Sequence, residues 1–401
     1  MLILSSQQFG KSSANGSCAN YIYLDLKKRG IDPYVVCYND SIVQNLDSRC
    51  VSLHYKKKCS NKLGRFSKII NFYNSVLLQI IRPAYDKSLC DKMVKEAYGL
   101  ICKNRIDVIL VFYFSAVFPA QLIEVSRRLL KKNPSLKVLL YELDSVEDGI
   151  GGTSVWNKLI TKSYIRYLKS FYKRIYHVYV LKSHVKKWKD NYGKYIQKMT
   201  EVDTPVLDCE YSIDNKQNYS DENKIVFIYA GALSPDYRPP NRMVDFFNAF
   251  SQRNECELWV YSKGCDSFLL DESRKNSCIK LMGYVSEEEL KKALQKSSVM
   301  ISIGNSRSNS YPSKLIKYFT YCKPVIHFEL KENDICQNYL SRYPLGFTVK
   351  GSTLIKEAAL DFEEFLCSSK DISVDVDMIK NEFFQNTPTF SVDMIINSLK
   401  K

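Results

Sequence analysis

Short apolar runs alternate with amphipathic helical patterns along most of the chain. In the first half, runs rich in Val, Ile, Leu and Tyr predict strands at 2–6, 34–38, 108–114, 137–144 and 177–182, with helices at 17–29, 86–104 and 116–132. A second series predicts strands at 225–230, 257–262, 279–281, 299–303, 324–328 and 346–349, with helices at 241–251, 287–297, 313–321 and 355–368. Strands that alternate with helices in this way predict α/β architecture with two parallel sheets built from βαβ units.

A polar segment at 212–223 separates the two series. It is rich in turn-forming residues and has no aromatic residue except Tyr219, which is typical of a linker. We therefore expect a Rossmann-like domain at 1–211 and a second Rossmann-like domain at 224–388. The pattern at 389–401 predicts a C-terminal helix that can return to the first domain. Ligands of such sheets bind at the carboxyl ends of the strands, so we expect the two domains to face a cleft.

Composition narrows the class of protein. The chain has 401 residues, of which 45% are hydrophobic and 25% charged, and this excludes a disordered tail, a fibrous repeat and a polytopic membrane protein. No apolar run approaches the roughly 20 residues that span a bilayer. The 13 cysteines include no CxxC pair and there are only 4 histidines, so neither a zinc framework nor a disulfide framework is expected. We expect a reducing, cytoplasmic location.

The net charge of +15 is concentrated in two segments. Residues 54–105 carry +9, residues 157–198 carry +11, and the remainder is mildly acidic. Both segments predict amphipathic helices. In the second, a basic set lies about 200° from an apolar set; the sets are Lys158, Lys162, Arg166, Lys169 and Lys173, and Ile160, Tyr164, Leu168, Phe171 and Ile175.

Two interpretations of these segments remain open. Each helix can pack its apolar face on the core and leave a solvated basic back, or it can dock on an anionic membrane or a polyanionic ligand. Nucleic acid is the less favoured partner, because no helix-turn-helix, zinc-finger or RNP signature accompanies the charge. We expect an anionic membrane surface and no nucleic acid.

The segment 302–328 carries the most specific chemistry. Its pattern is strand, polar loop with Asn305, helix, turn and strand. Ser313 can cap the helix and Lys314 lies in its first turn. Free N–H groups, the helix dipole and the Lys314 cation together favour a phosphate.

This segment, together with 225–247 and 280–305, resembles the donor-site region of GT-B glycosyltransferases of the bacterial group 1 or family 4 type, which build polysaccharides from nucleotide sugars. The closing Lys-Pro-Val-Ile of residues 323–326 is part of the resemblance. It implies that Arg238 contacts the donor diphosphate, that Gly231 lets the backbone approach it, and that Tyr284 and Val285 hold the base.

The N-terminal half resembles the same family more loosely, as an acceptor domain. Gly10 and Gly16 bracket a loop of small residues after the first strand, and this loop either approaches the donor or is an ordinary surface turn. Asp144 follows a buried strand. It can orient an acceptor hydroxyl, act as a base, or cap the next turn.

One departure from the family pattern concerns the ribose site. Relatives place two acidic residues where this chain has Asn309 and Lys317, and a cation cannot accept hydroxyl protons. The resemblance implies a retaining, metal-independent glycosyltransferase without a cofactor, which moves a sugar from a nucleotide sugar to a lipid-linked or other saccharide acceptor at the inner face of the plasma membrane. The alternatives are a catalytically weak or silent GT-B-like docking protein and a nucleotide-sugar epimerase, which shares the fold.

Overall fold

The protein is described here by a computed structural model. It describes residues 1–6, 14–39, 48–54, 78–81, 83–113, 120–145, 154–207, 224–306 and 314–400. The chain divides into two compact units, one formed by Met1–Pro205 with Pro388–Lys401 and the other by Val206–Thr387. The linker predicted at 212–223 lies outside the described residues.

The first unit contains a parallel sheet in which seven strands are described, in the order β3-β2-β1-β4-β5-β6-β7. The strands are Leu2–Ser5 (β1), Tyr34–Asn39 (β2), Cys50–His54 (β3), Val108–Tyr113 (β4), Lys137–Glu142 (β5), His177–Leu181 (β6) and Met199–Val202 (β7). The helices are Ala14–Lys28 (α1), Leu78–Ile81 (α2), Lys87–Asn104 (α3), Gln121–Lys132 (α4), Val155–Tyr172 (α5) and Val185–Tyr192 (α6). Every residue of β4 is buried, as expected for a central strand covered on both faces.

The second unit contains a parallel sheet in the order β10-β9-β8-β11-β12-β13. The strands are Ile225–Ala232 (β8), Cys256–Lys263 (β9), Ile279–Leu281 (β10), Val299–Ile303 (β11), Val325–Phe328 (β12) and Gly346–Val349 (β13). The helices are Asn241–Ser251 (α7), Asp266–Lys275 (α8), Glu287–Lys296 (α9), Lys314–Phe319 (α10), Gln337–Leu340 (α11), Ile355–Ser368 (α12) and Val376–Glu382 (α13). Phe227 of β8 packs against Phe250 and Phe362, with ring centroids 5.2 and 6.0 Å away, so α7 and α12 cover the same face of the sheet.

The last helix, Pro388–Lys400 (α14), belongs to the first unit. Val392 and Ile395 are fully buried. Two tyrosines of the sheet reach serines of this helix: the Tyr141 hydroxyl lies 2.9 Å from Ser391 Oγ and the Tyr179 hydroxyl 2.5 Å from Ser398 Oγ. The helix is thus fixed by apolar burial and by hydroxyl pairs that satisfy otherwise buried polar atoms.

Most predicted elements are present with ends shifted by a few residues, but two strands were missed. Both β3 and β7 are short, lie at the edges of the first sheet, and mix polar with apolar residues. Edge strands are half-solvated, so they lack the continuous apolar run that marked the buried strands.

The structure also separates the two interpretations of the basic segment at 157–198. The whole apolar set of that segment is buried, with exposures of 0–4%, and it therefore packs on the core. The apolar face that the sequence offered for membrane contact is not available. Of the other basic segment, residues 55–77 and 82 lie outside the described residues. No helix among the described residues is long and apolar enough to cross a membrane.

Ile395→Ala is expected to destabilise the first unit. It leaves a cavity under the sheet, which typically costs about 2–5 kcal/mol of unfolding free energy. Chemical denaturation followed by circular dichroism measures the change. Asn397→Ala, on the exposed side of the same helix, is the matched control and should cost less than about 0.5 kcal/mol. Equal effects of the two substitutions would contradict the assigned packing of α14.

Candidate active site

The turn at the carboxyl end of β8 is held by two tyrosines. Tyr229, from the strand itself, donates its hydroxyl proton to the Ala232 carbonyl at 3.1 Å. Tyr318, from α10, donates to the Ala230 carbonyl at 3.2 Å. A Cβ atom at Gly231 would lie 3.1 Å from the Tyr229 hydroxyl oxygen, so this hydroxyl fills the space that a side chain at residue 231 would need.

The loop that follows carries Arg238 back to this turn. Ser234 and Arg238 exchange backbone hydrogen bonds of 3.2 and 2.9 Å, which close the loop. Ser306 ties the same loop to the end of β11, since its N–H donates to the Tyr237 carbonyl at 3.0 Å. The Arg238 guanidinium donates through Nε to the Gly304 carbonyl at 3.4 Å, and its positive charge counters the rise that burial causes in the pKa of Tyr229. Arg238 is thus positioned between the ends of β8 and β11.

Two further cations lie close to Arg238. Lys314 is the first residue of α10 and is half-buried. Burial lowers the pKa of its ammonium group, and the positive charges of Lys317 and Arg238 lower it further, while Glu287 acts in the opposite direction. A cluster of like charges at a partly desolvated position is destabilising by itself, and a bound anion would relieve it.

The negative charge of Glu287 offsets part of this positive charge. Its carboxylate Oε1 lies 3.8 Å from the Lys317 ammonium nitrogen. Glu287 is in the first turn of α9, which begins with a capping box formed by Ser286 and Glu289. A carboxylate from α9 therefore lies beside Lys317 of α10, at the position where the family resemblance implies an acidic residue.

A cavity of about 170 Å³ opens at the carboxyl ends of β8 and β9. It is lined by Gly231, Ala232, Tyr261, Ser262, Lys263, Gly283, Tyr284, Val285, Leu290 and Lys314. The Tyr284 ring is 79% exposed, and the Lys263 ammonium nitrogen lies 4.0 Å from its centroid, which is a cation–π contact. The cavity thus combines an accessible aromatic ring with two lysines.

Four residues predicted from the sequence, Gly231, Tyr284, Val285 and Lys314, line this one cavity. Lys317 lies beside Glu287, and Asn305 is half-buried two residues beyond β11. Lys263 was missed, although it ends a parallel strand and the tendency of ligands to bind at such ends points to it. Ser313 and Asn309 lie outside the described residues.

A buried chain of hydrogen bonds lies behind the loop at Gly304. The His327 ring joins Ser302 Oγ at 3.1 Å through Nδ1 and Asp334 Oδ2 at 3.2 Å through Nε2. Burial acts to raise the pKa of Asp334, but the interactions with His327 and the hydrogen bonds from Cys336 together outweigh it and hold the pKa below its usual value. A Cβ atom at Gly304 would lie 2.2 Å from Asp334 Oδ2, so the carboxylate packs directly against this glycine.

His327, Asp334 and Cys336 also form a group with metal-ligating side chains. All three are buried, and both nitrogens of the His327 ring already have hydrogen-bond partners. The arrangement fits a support for the Gly304 loop better than a metal centre, whose ligands need an entry path and an unpaired ring nitrogen.

Lys323, the first residue of the Lys-Pro-Val-Ile motif, binds the carboxyl end of α9. Its ammonium group donates to the Ser297 carbonyl at 2.6 Å and also to the Gln295 carbonyl, at the end of α9. Burial lowers its pKa to about 8. A lysine at a helix carboxyl end satisfies carbonyls that have no partner within the helix.

In the first unit, Asp144 lies against the start of α1. Its carboxylate accepts a hydrogen bond of 2.9 Å from the Asn15 side-chain amide. Burial raises the pKa of Cys18 to about 12, and the nearby charge of Asp144 adds to this rise. Gly16 lies between Asn15 and Cys18 in α1. Two predicted positions, Gly16 and Asp144, therefore lie near each other. Gly10 lies outside the described residues.

Solved structures with similar folds support the architecture. Sucrose-phosphate synthase from Thermosynechococcus elongatus matches with a TM-score of 0.59 at 12% identity, covering 100% of this chain and 98% of that one. WaaG, a glycosyltransferase involved in lipopolysaccharide biosynthesis, matches with a TM-score of 0.57 at 10% identity, covering 98% and 99%. An α-glucosyltransferase in complex with UDP and a 13-mer DNA matches with a TM-score of 0.59 at 11% identity, covering 100% and 99%.

These likenesses confirm the predicted GT-B fold for the whole chain. No protein-family model matches the sequence, and no curated protein matches it. At 10–12% identity, the solved structures establish the fold alone.

Gly231→Ala is expected to destabilise the second unit through the Tyr229 hydroxyl. In a Tyr229→Phe background, the nearest remaining atom of that ring to the new methyl group is the ring carbon at 3.5 Å, which is ordinary contact. The cost of Gly231→Ala should therefore be smaller in that background, with a coupling of about 0.5–3 kcal/mol in a double-mutant cycle of unfolding free energies. Additive effects would show that the hydroxyl does not occupy this space.

Proposed function

We propose that the protein is a glycosyltransferase that moves a sugar from a nucleoside diphosphate sugar to a saccharide acceptor. The observation that carries the proposal is the group of three cations, Arg238, Lys314 and Lys317, beside the Gly231 turn in a chain with the GT-B fold. Its position at the carboxyl ends of parallel strands is where ligands of α/β sheets bind. Clustered cations at such a position suit a diphosphate.

In the proposed reaction, the second unit stabilises the leaving group. Negative charge develops on the nucleoside diphosphate as its bond to the sugar breaks. Arg238 is already oriented by the Gly304 carbonyl, and Lys314 is partly desolvated. Fixed charges aimed at developing charge in such a site can contribute several kcal/mol to catalysis. The nucleobase of the donor is proposed to lie against Tyr284 and Val285.

The first unit is proposed to bind the acceptor. Asp144 either orients the acceptor hydroxyl or accepts its proton, and Asn15 holds its carboxylate in place. The family resemblance favours a lipid-linked acceptor, retention of configuration, and transfer without a metal or a cofactor. The involvement of the structural neighbour WaaG in lipopolysaccharide biosynthesis agrees with a surface-saccharide acceptor.

The second candidate is a catalytically silent GT-B-like protein that docks on a membrane or on partners. The ion pair of Lys317 with Glu287 favours it, because it occupies the Glu287 carboxylate, which is then less available to substrate hydroxyl groups. Thermal shift with UDP and GDP, followed by hydrolysis of a panel of nucleotide sugars, separates the two candidates. Nucleotide binding without turnover of any donor would favour the silent protein.

Arg238→Ala and Lys314→Ala are each expected to abolish nucleotide-sugar turnover while the protein stays folded. Each removes a charge that stabilises the leaving diphosphate, and the loss of one such interaction typically lowers kcat by about 10²–10³. Lys296→Ala, at the exposed end of α9, is the control. Turnover with the best donor of the panel and circular dichroism are the two measurements. Undiminished turnover in both variants would end the proposal.

The affinity for a nucleoside diphosphate is expected to fall as pH rises. This fall should occur at a lower pH than the deprotonation of an ordinary lysine would give. The pKa of Lys314 is lowered by burial and by its neighbouring cations, so its charge is present at lower pH and is lost as pH rises through that lowered value. Lys314→Arg keeps the charge, since arginine stays protonated. Titration calorimetry with UDP should show the high-pH loss of affinity in the parent and not in the arginine variant. An unchanged pH profile would mean that Lys314 does not contact the diphosphate.

A further inference from the structure

The Gly304 loop, residues 304–306, is joined to the loop that carries Arg238 by three hydrogen bonds. The Gly304 carbonyl accepts the 3.4 Å bond from Arg238 Nε. Ser306 adds two bonds, since its N–H donates to the Tyr237 carbonyl at 3.0 Å and its hydroxyl donates to the next carbonyl upstream at 2.7 Å. The position of the Arg238 guanidinium therefore depends on the position of the Gly304 loop.

On its other side, the Gly304 loop packs against the buried Asp334 carboxylate. A Cβ atom at Gly304 would lie 2.2 Å from Asp334 Oδ2, so only glycine fits between the loop and this oxygen. The Gly304 N–H donates to the Phe328 carbonyl at 3.0 Å, which holds the backbone of the loop at the end of β12. The carboxylate therefore determines how closely the loop approaches the end of the sheet.

The Asp334 carboxylate is itself fixed by its neighbours. Its Oδ1 accepts a hydrogen bond of 3.0 Å from the Cys336 N–H, and its Oδ2 lies 3.2 Å from His327 Nε2. His327 and Ser302 are paired residues of β12 and β11, and His327 Nδ1 lies 3.1 Å from Ser302 Oγ. Ser302, His327 and Asp334 are all buried. In a buried network whose members are all paired, each side chain is held in one position.

Stability alone is a weak reason for burying a carboxylate beside a histidine. Removing such polar side chains from water costs free energy, and apolar residues of similar volume often give equal or greater stability. Ser302, His327 and Asp334 are not among the described residues that line the cavity at Gly231. They reach the candidate site through Gly304 instead, so a role in positioning accounts for their burial better than stability does.

We propose that Ser302, His327 and Asp334 position Arg238 for the donor diphosphate by fixing the Gly304 loop. Asp334 is a positioning residue, because it acts through the loop and not on the substrate. A displacement of about 1 Å in a site can cost about a hundredfold in rate, and a guanidinium matches phosphate oxygens only in a fixed orientation. The inference rests on the proposed function, in which Arg238 binds the diphosphate.

The test is a double-mutant cycle of UDP affinity, measured by titration calorimetry with the full chain at ligand concentrations that saturate every variant. Asp334→Ala should weaken UDP binding about tenfold, a coupling within the range found for residues of one network. In an Arg238→Ala background the same change should cost less than about twofold, because no guanidinium remains to be displaced. Equal losses in the two backgrounds would overturn the inference.

Gly304→Ala gives a second measurement of the same contact. The new methyl group overlaps with the Asp334 carboxylate, so UDP affinity should fall about tenfold. In Asp334→Ala the carboxylate is absent, and the Phe328 carbonyl oxygen, at 3.4 Å, is the next atom that the methyl group meets. Adding Gly304→Ala to Asp334→Ala should therefore cost no further affinity. A further tenfold loss would show that the carboxylate does not determine the position of the loop.

Phe362→Leu is the matched control for lost stability. Phe362 is buried in the core of the same unit, against Phe227 of β8, and its truncation leaves a cavity there. Chemical denaturation should show that this variant and Asp334→Ala are both less stable than the parent, while only Asp334→Ala loses UDP affinity. An equal loss of affinity in the two variants would contradict the positioning role.

The same data separate this inference from the proposed function. A parent protein that binds UDP, with losses that are additive for Asp334 and Arg238, overturns the inference and leaves the proposed function standing. A parent protein that does not bind UDP overturns the proposed function, and the inference with it.

Discussion

The parallel pairing of β8 with β11 is the constraint on which the candidate site depends. Tyr229 pairs with Ile301 across these strands, and this register brings the two strand ends level. The Gly304 carbonyl can then accept a hydrogen bond from the Arg238 guanidinium, whose charge acts on the Tyr229 hydroxyl. A slip of one residue would turn every side chain of β8 to the opposite face and separate these contacts.

The positive charge gathered at this point has a cost that the fold offsets in part. Arg238, Lys314 and Lys317 repel one another, and Lys314 is also partly removed from water. Glu287 brings one negative charge from another helix. The remaining excess of positive charge destabilises the free protein. The same charge becomes favourable when an anion binds, so the site gains affinity for anions at the expense of stability.

The candidate site was predictable from the sequence to different degrees in different places. Lys314 was identified because it belongs to a local pattern of strand, loop and helix start, and Gly231 and Tyr284 were implied by the resemblance of their segments to a known family. Lys263 was not identified, since it lies apart from those patterns, and Glu287 was not identified although it is only three residues beyond Tyr284. They reach the site through the pairing of β9 with β8 and through the placement of α9. The support from Asp334 to Gly304 was also missed, because it joins residues thirty positions apart.

The sequence by itself determined the two-sheet α/β architecture, most helices and strands, and the concentration of basic charge, because each of these depends on local periodicity or on counting. The GT-B assignment came from the resemblance of its motifs to a known family. The tertiary structure decided which face of each element is available. The helix at Val155–Tyr172 shows the difference: its periodicity established two opposite faces, but only packing showed that the aromatic face lies in the core. The exposed apolar residues are instead at its first turns. Burial is a property of contacts between distant segments, and a pattern along one segment does not contain it.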